Sequence, residues 1–301
     1  MLGGRSHRVN TKGNLQQSMR ANYGEHGVDN YYKQVGASYR NPHFPGVRAC
    51  MFTWLERWWA HEKTAIGPRS PLIFDMACGA GEVTVAAYEW WKRGGVQPSK
   101  KGIAPQTCDS SSTKADGLEG EPSTPMVRQA PDGLLITAAD PYTQVAYTER
   151  TTLPCAPLTF RDISEGLLPP NVSSTTTIGV SRANDVQSSS IDRIDMVVCS
   201  FALHLVESSS ELFALLRELS TKAVWLVVLA PHKKPEIKEG WGWVKWDSET
   251  WCECGMHDRK EFILERVHCR VYRSINVPDS GHEVVERGTG EWFKQDDPMH
   301  K

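Results

Sequence analysis

Three observations predict an α/β fold built on a doubly wound, mostly parallel sheet. Apolar runs of strand length recur along the chain. Segments with helical spacing separate them. The first run ends in a turn of very small residues that leads straight into a helix. The runs fall at 72–77, 134–139 (LLITAA), 157–161 (PLTFR), 194–200 (IDMVVCS) and 223–230 (AVWLVVLA). Such continuous rather than alternating apolarity is expected of strands covered on both faces.

The intervening helices follow from spacing and caps. Over 46–63, Val47, Met51, Trp54, Leu55 and Trp58 share one face, and Pro42 and Pro45 mark its start. Helices are also read at 82–93, 143–151 and 208–220, the last with Leu212, Leu215, Leu216 and Leu219 on its buried side. Beyond 240, WVKWDSETW and FILERVHCRVYRSINV read as extended segments forming an antiparallel pair on one edge of the sheet. Residues 1–28 are polar and read as a flexible leader, and 29–70 as an N-terminal helical lid. The main domain then spans 71–301, with Ser/Gly/Pro-rich insertions at 94–132 and 169–191.

Composition narrows the function classes. The 301 residues carry a net charge of −2, which argues against an extended nucleic-acid footprint. The eight cysteines are scattered, with Cys78 and Cys199 at strand-like runs, as expected of reduced thiols rather than a disulfide framework. No apolar signal region and no run of membrane-spanning length occurs, so the reading is a cytoplasmic or nuclear protein without membrane attachment. The CECGMH stretch at 252–257, near His268 and Cys269, lacks the paired spacing of a zinc site, and no metal is expected.

The turn FDMACGAGE, 74–82, carries the chemistry. In open parallel sheets, ligands bind beyond the carboxyl ends of the strands. Small residues at 77–81 would let a ligand approach bare backbone, and the helix that follows offers unpaired N–H groups at its start. A dinucleotide fingerprint needs a third glycine where Thr84 stands, and a P-loop needs a Gly-Lys-Ser/Thr that is absent. A third pattern fits better: acidic residues in turn at the strand ends, Asp75, Asp140 and Asp162. A carboxylate after the second strand can accept from both hydroxyls of a ribose.

These residues resemble the class I S-adenosylmethionine-dependent methyltransferases. Leu72 to Glu82 is similar to the first motif of that family, Asp140 in AADPYTQVAY to the acidic position after its second strand, and FRDI at 160–163 to the acidic motif after its third. IDMVVCSFALHLVES at 194–208 is similar to its fourth-strand motif. The resemblance covers about 70–232 and implies a Rossmann-like, seven-stranded-type sheet with S-adenosyl-L-methionine as cofactor. It further implies that Ala77, Cys78, Gly79 and Gly81 line the methionine moiety and that Asp75 holds its amino group directly or through water. Asp140 with Pro141 would hold the ribose, Asp162 with Ile163 the adenine, and Ser200 and Phe201 would flank the sulfonium. Ala77 departs from the commonest pattern, which has glycine there, and the fourth motif lacks the Asn/Asp-Pro-Pro-aromatic sequence of enzymes that methylate exocyclic base amines.

Other roles stay open at the level of sequence. Asp140, followed by Pro141, also suits a helix cap, and Asp162 a cap of a helix starting near Ser164. His204 and His232 are candidate general bases, His204 equally a packed histidine, and Lys233 beside His232 suits an acidic substrate. Tyr31, Tyr32, Tyr39, Arg40, Asn41 and His43 are candidates for a lid over cofactor and substrate, with Tyr39, Arg40 and His43 against the substrate, and Trp54, Trp58 and Trp59 are candidates for core. The expected reaction is transfer of a methyl group to an N, O or C atom of a small molecule. RNA or protein is the second choice of acceptor, and a cofactor-binding subunit without turnover is the reading from another class.

Overall fold

The computed structural model describes residues 27–94, 130–170 and 193–277. Most of the expected leader and of the two insertions therefore lies outside the described residues. The elements run α1 (Val28–Val35), a 3-10 turn (Gly36–Ser38), α2 (Phe44–Ile66), β1 (Leu72–Met76), α3 (Glu82–Lys92), β2 (Leu135–Ala139), α4 (Gln144–Thr151) and α5 (Phe160–Ser164). They continue with β3 (Ile194–Ser200), a 3-10 turn (Leu203–Leu205), α6 (Ser209–Ser220), β4 (Ala223–Ala230), β5 (Trp243–Asp247), β6 (Cys252–Cys254), β7 (Phe262–Leu264) and β8 (Val267–Ser274).

The fold class is as the sequence predicts. Eight strands form one sheet in the order β2-β1-β3-β4-β8-β5-β6, with β7 on β8. The first four strands pair in parallel and the rest antiparallel. The carboxyl ends of β2, β1 and β3 lie side by side, with Met76 opposite Ala139 on one flank and Cys199 on the other.

Side-chain alternation along the strands separates two cores. Ile73, Met196, Val198 and Val227 face α2 and α3, where Trp54, Trp58 and Trp90 are fully buried. Leu72, Phe74, Val197, Leu226 and Val228 face α6 through Leu212, Leu215, Leu216 and Leu219. The expected division at 29–70 changes accordingly. Helix α2 is a layer of the core, and the part of this stretch that reaches the strand ends is 27–43.

The strand expected at 157–161 does not form. That segment gives one parallel bridge, Ala139 to Ala156, and then helix α5. Pro157 has no N–H to give a ladder, and Thr159 closes a capping box. Its hydroxyl accepts from the Asp162 N–H at 3.1 Å, while the Asp162 carboxylate accepts from the Thr159 N–H at 2.8 Å. At the tail, the expected antiparallel pair is β5 with β8, extended by two short strands.

One ion pair ties the amino ends of the strands together. Asp195, buried at the start of β3, accepts from both terminal nitrogens of Arg69 and from the Leu72 N–H at 2.8 Å. Asp195→Ala strands that N–H and half-buried guanidinium, and urea unfolding should show a loss of about 2–3 kcal/mol. Among the described residues no helix is long and apolar enough to cross a membrane.

Candidate active site

A cavity of about 1100 Å³ opens at the carboxyl ends of β1, β2 and β3. One wall is the bend after β1, with Ala77, Cys78 and Gly79. Asp140 and Pro141 from the end of β2 stand beside it, and Ser200 and Phe201 from the end of β3 lie opposite. Ile163 of α5 and Tyr39 of the N-terminal segment complete the set of expected residues on the walls.

The bend is left-handed at Ala77 (φ 55°), Gly79 (φ 57°) and Gly81 (φ 80°). Its glycines are required partly by protein neighbours rather than by a ligand. A β-carbon on Gly79 would sit 3.1 Å from the Tyr39 ring and 3.3 Å from the Glu82 carboxylate. One on Gly81 would sit 2.5 Å from Thr151 Cγ2 and 3.2 Å from the Tyr147 ring, behind the cavity. Gly81 is thus a packing residue. Gly81→Ala meets both a clash and an unfavourable φ, and should lower stability by about 2–4 kcal/mol in thermal unfolding. What the bend offers the cavity is its backbone at 77–79.

Asp140 joins the two strand ends. Its Oδ1 accepts from the N–H groups of Tyr142 (2.8 Å) and Thr143 (3.0 Å), and its Oδ2 from the Gly79 N–H (3.2 Å). Burial raises its pKa, against the opposing pull of those N–H donors. The residue therefore both organises the turn before α4 and faces the cavity.

Asp75 lies elsewhere. It is fully buried beneath the bend, where Oδ2 accepts from the Thr84 N–H (3.2 Å) and Oγ1 (2.7 Å), while Oδ1 has no partner among the described residues. Burial pushes its pKa up to about 8, so the carboxyl is largely neutral near pH 7. Asp75 is not among the described wall residues, which leaves only an indirect link between it and a ligand's amino group.

Glu82 is the carboxylate that does reach the wall at this point. It is the first residue of α3, buried, and accepts from the Asn41 N–H (3.1 Å), the Ala80 N–H (3.1 Å) and Arg150 (2.9 Å). Sequence reasoning read it only as a helix start. The acidic first-turn position signalled a role, but its partners arrive by tertiary packing from 41 and 150.

The remaining expected residues divide. The Asp162 carboxylate is engaged in the capping box and does not line the cavity, so its expected adenine contact is not formed by the wall; Ile163 beside it is on the wall. Ser200 lines the cavity with a buried hydroxyl that has no partner among the described residues. Phe201 holds φ 58° and stacks on His43 at 5.0 Å. His43 is thus behind Phe201 rather than on the wall. Arg40 is exposed and donates to the Tyr39 carbonyl at 2.6 Å. Lys233 is exposed, 3.9 Å from Glu261.

Neither His204 nor His232 lines the cavity; their rings meet edge to face at 4.9 Å. Burial, then His232 and Arg270, pull the His204 pKa down to about 4. A ring so hard to protonate is a poor general base, and packing of the turn after β3 against His232, which follows β4, is the role its position matches. Tyr32 and Asn41, two of the lid candidates, are on the wall, whereas Tyr142, Glu165, Glu207 and Glu211 are wall residues that went unread in the sequence as site residues.

The charge on the walls is one-sided. Among the described residues, Glu82, Asp140, Glu165, Glu207 and Glu211 line the cavity against a single cation, Arg161, which pairs with Glu165 at 3.0 Å. No group of side chains suited to a metal ion is found among the described residues.

No protein-family model matches the chain. Three solved structures resemble it at low identity. Magnesium protoporphyrin IX methyltransferase from Synechocystis PCC 6803, with bound SAM, gives a TM-score of 0.38 at 11% identity over 85% of this chain and 94% of its own. The mitomycin 7-O-methyltransferase MmcR gives 0.34 at 12% identity, over 74% of this chain and 53% of its own. The N-terminal domain of EvdMO1 with SAH bound gives 0.30 at 12% identity, over 73% of this chain and 81% of its own. Likenesses of this strength transfer neither ligand nor reaction. Sequence gives a firmer relation: an uncharacterized protein of Schizosaccharomyces pombe, C17A5.05c, is 38% identical over 267 residues, 88% of this chain and 96% of that protein. The chain belongs to one family with that fission-yeast protein.

Proposed function

We propose that the cavity binds S-adenosylmethionine and that the protein transfers its methyl group to an acceptor. The observation that carries this reading is the junction of Asp140 with the bend. A buried carboxylate at the end of β2 reaches the Gly79 N–H at the end of β1, on the wall of a cavity large enough for a nucleoside and an acceptor together. The orphaned Ser200 hydroxyl supports it, because a buried polar group on a cavity wall is satisfied when a ligand arrives.

Wall charge separates this from the competing nucleotide readings. A dinucleotide brings a pyrophosphate, and here it would meet five carboxylates, of which Glu82 is paired with Arg150 and Glu165 with Arg161. A sulfonium with an ammonium group is cationic at that end and suits the same walls. Asp140 would accept from the ribose hydroxyls. Glu82, in place of Asp75, is the carboxylate on the wall for the amino group, and Ile163 offers an apolar contact for the base. Ser200 and Phe201 would flank the reacting end. The chain's contribution to the reaction is alignment and exclusion of water, since the walls carry no activated base.

The acceptor is proposed to be a small molecule without net negative charge. The carboxylate-rich walls oppose a polyanion such as RNA, and the segment 27–43 narrows the opening through Tyr32, Tyr39 and Asn41, which act as a lid in this reading. Titration calorimetry with S-adenosylhomocysteine tests the cofactor; absence of binding to the wild-type protein sinks it. Transfer of labelled methyl groups into fractionated small-molecule extract, against RNA and protein fractions, tests the acceptor class.

A further inference from the structure

Two thiols meet at the bend: that of Cys78, whose residue is on the cavity wall, and that of Cys155, whose residue is not. The Sγ atoms of Cys78 and Cys155 are 3.5 Å apart, both free. Their backbones are pinned on either side of β2. The Cys78 N–H donates to the Ala139 carbonyl at 3.1 Å, the Ala156 N–H to the Ala138 carbonyl at 2.9 Å, and the Asp140 N–H to the Ala156 carbonyl at 3.0 Å. A disulfide places its sulfurs about 2.05 Å apart, so closure needs an approach of about 1.5 Å, within the reach of side-chain rotation and a small shift of the bend.

We propose that Cys78 and Cys155 form a reversible disulfide on exposure to a peroxide. Cys155 is the half-exposed partner, so the oxidant reaches it first, whereas Cys78 is buried. The Cys155 sulfur attacks one peroxide oxygen, the O–O bond breaks, and water leaves to give a sulfenic acid. The Cys78 sulfur then attacks the Cys155 sulfur, the S–O bond breaks, and the second water carries off the remaining thiol proton. Peroxide is reduced to two waters and the two thiols are oxidised to one disulfide. Burial pushes the Cys78 thiol pKa up, which keeps it from being the first sulfur to react. The other close pair, Cys50 and Cys269, is fully buried and closed to the oxidant.

The bond has a consequence that rests on the nucleoside reading above. Cys78 and Gly79 are adjacent in the bend, and Gly79 donates to Asp140. Drawing Cys78 toward Cys155 pulls the backbone at 77–79 away from the cavity, and S-adenosylhomocysteine affinity should fall about tenfold.

The test treats the full-length protein with hydrogen peroxide and maps its peptides by mass spectrometry. The expected result is a cross-linked pair joining Cys78 to Cys155, lighter by about 2 Da and reversed by dithiothreitol. Cys252→Ser, which removes an exposed thiol, should leave that pair intact, while Cys155→Ser and, separately, Cys78→Ala should abolish it. Sulfinic acid at Cys155 without the cross-link, or a cross-link to a different cysteine, overturns the proposal. The mass measurement needs no cofactor. If the reduced protein fails to bind S-adenosylhomocysteine, the nucleoside reading falls while the peptide map still decides the bond. If the oxidised protein binds it unchanged, the coupling to the cavity is wrong.

Discussion

Asp140→Ala is expected to weaken S-adenosylhomocysteine binding about 30-fold or more, measured by calorimetry at neutral pH. Two hydrogen bonds from ribose hydroxyls to a buried carboxylate are together worth about 2 kcal/mol or more, which is that factor in affinity. The substitution also removes the acceptor for three backbone N–H groups, those of Gly79, Tyr142 and Thr143. Its effect on folding has to be separated from its effect on binding. Asp140→Asn does this: an amide oxygen turned to Tyr142 and Thr143 keeps both N–H groups paired, while the charge facing the cavity is gone. A folded Asn variant that binds as tightly as wild type would remove Asp140 from the site. Asp162→Ala supplies the contrast. Its carboxylate serves the start of α5 and lies off the wall, so affinity should stay within about twofold while stability drops by about 1 kcal/mol.

Asp75→Asn should remove the loss of stability that the wild type suffers as pH rises toward 8. The folded carboxyl holds its proton up to about pH 8, whereas in the unfolded chain it ionises near its ordinary value of 3.8. Between those two values the folded state binds more protons than the unfolded one, so stability falls as pH rises and levels off above about 8. The range of the effect is on the order of several kcal/mol for a group buried this completely, and is an upper bound. Asparagine cannot ionise, and its oxygen can still accept from Thr84. Its amide nitrogen takes the place of the unpartnered Oδ1, a cost of about 1 kcal/mol. Urea unfolding from pH 5 to 9 should therefore show wild type ahead near pH 5 and the variant ahead near pH 9. Parallel curves for the two proteins would mean that Asp75 is ionised in the fold.

The strands that frame the cavity were legible because each is an apolar run covered on both faces. The runs at 194–200 and 223–230 coincide with β3 and β4, and the bend and Asp140 follow their strands as the pattern required. The segment at 157–161 was misread because its apolar residues carry strand propensity, while a reciprocal pair of hydrogen bonds between Thr159 and Asp162, a purely local device, commits it to a helix. Asp75 and Glu82 exchanged roles for a different reason. Both carboxylates flank the bend in sequence, and which of them turns outward is settled by Thr84 taking one and Asn41 with Arg150 taking the other. His204 matches the packed reading that the sequence offered beside the catalytic one, with His232 against it. Their place after β3 and β4 was visible, but the direction of each ring is set by the packing of 204 against 232 and 270.

The described chain re-enters the sheet at the amino ends of β2 and β3, away from the carboxyl ends that frame the cavity. Gly94 and Ala130 bound one undescribed stretch, Pro170 and Arg193 the other, and each stretch leads to the amino end of a parallel strand. Re-entry at the amino ends of β2 and β3 leaves their carboxyl ends to present Asp140 and Ser200 to the cavity.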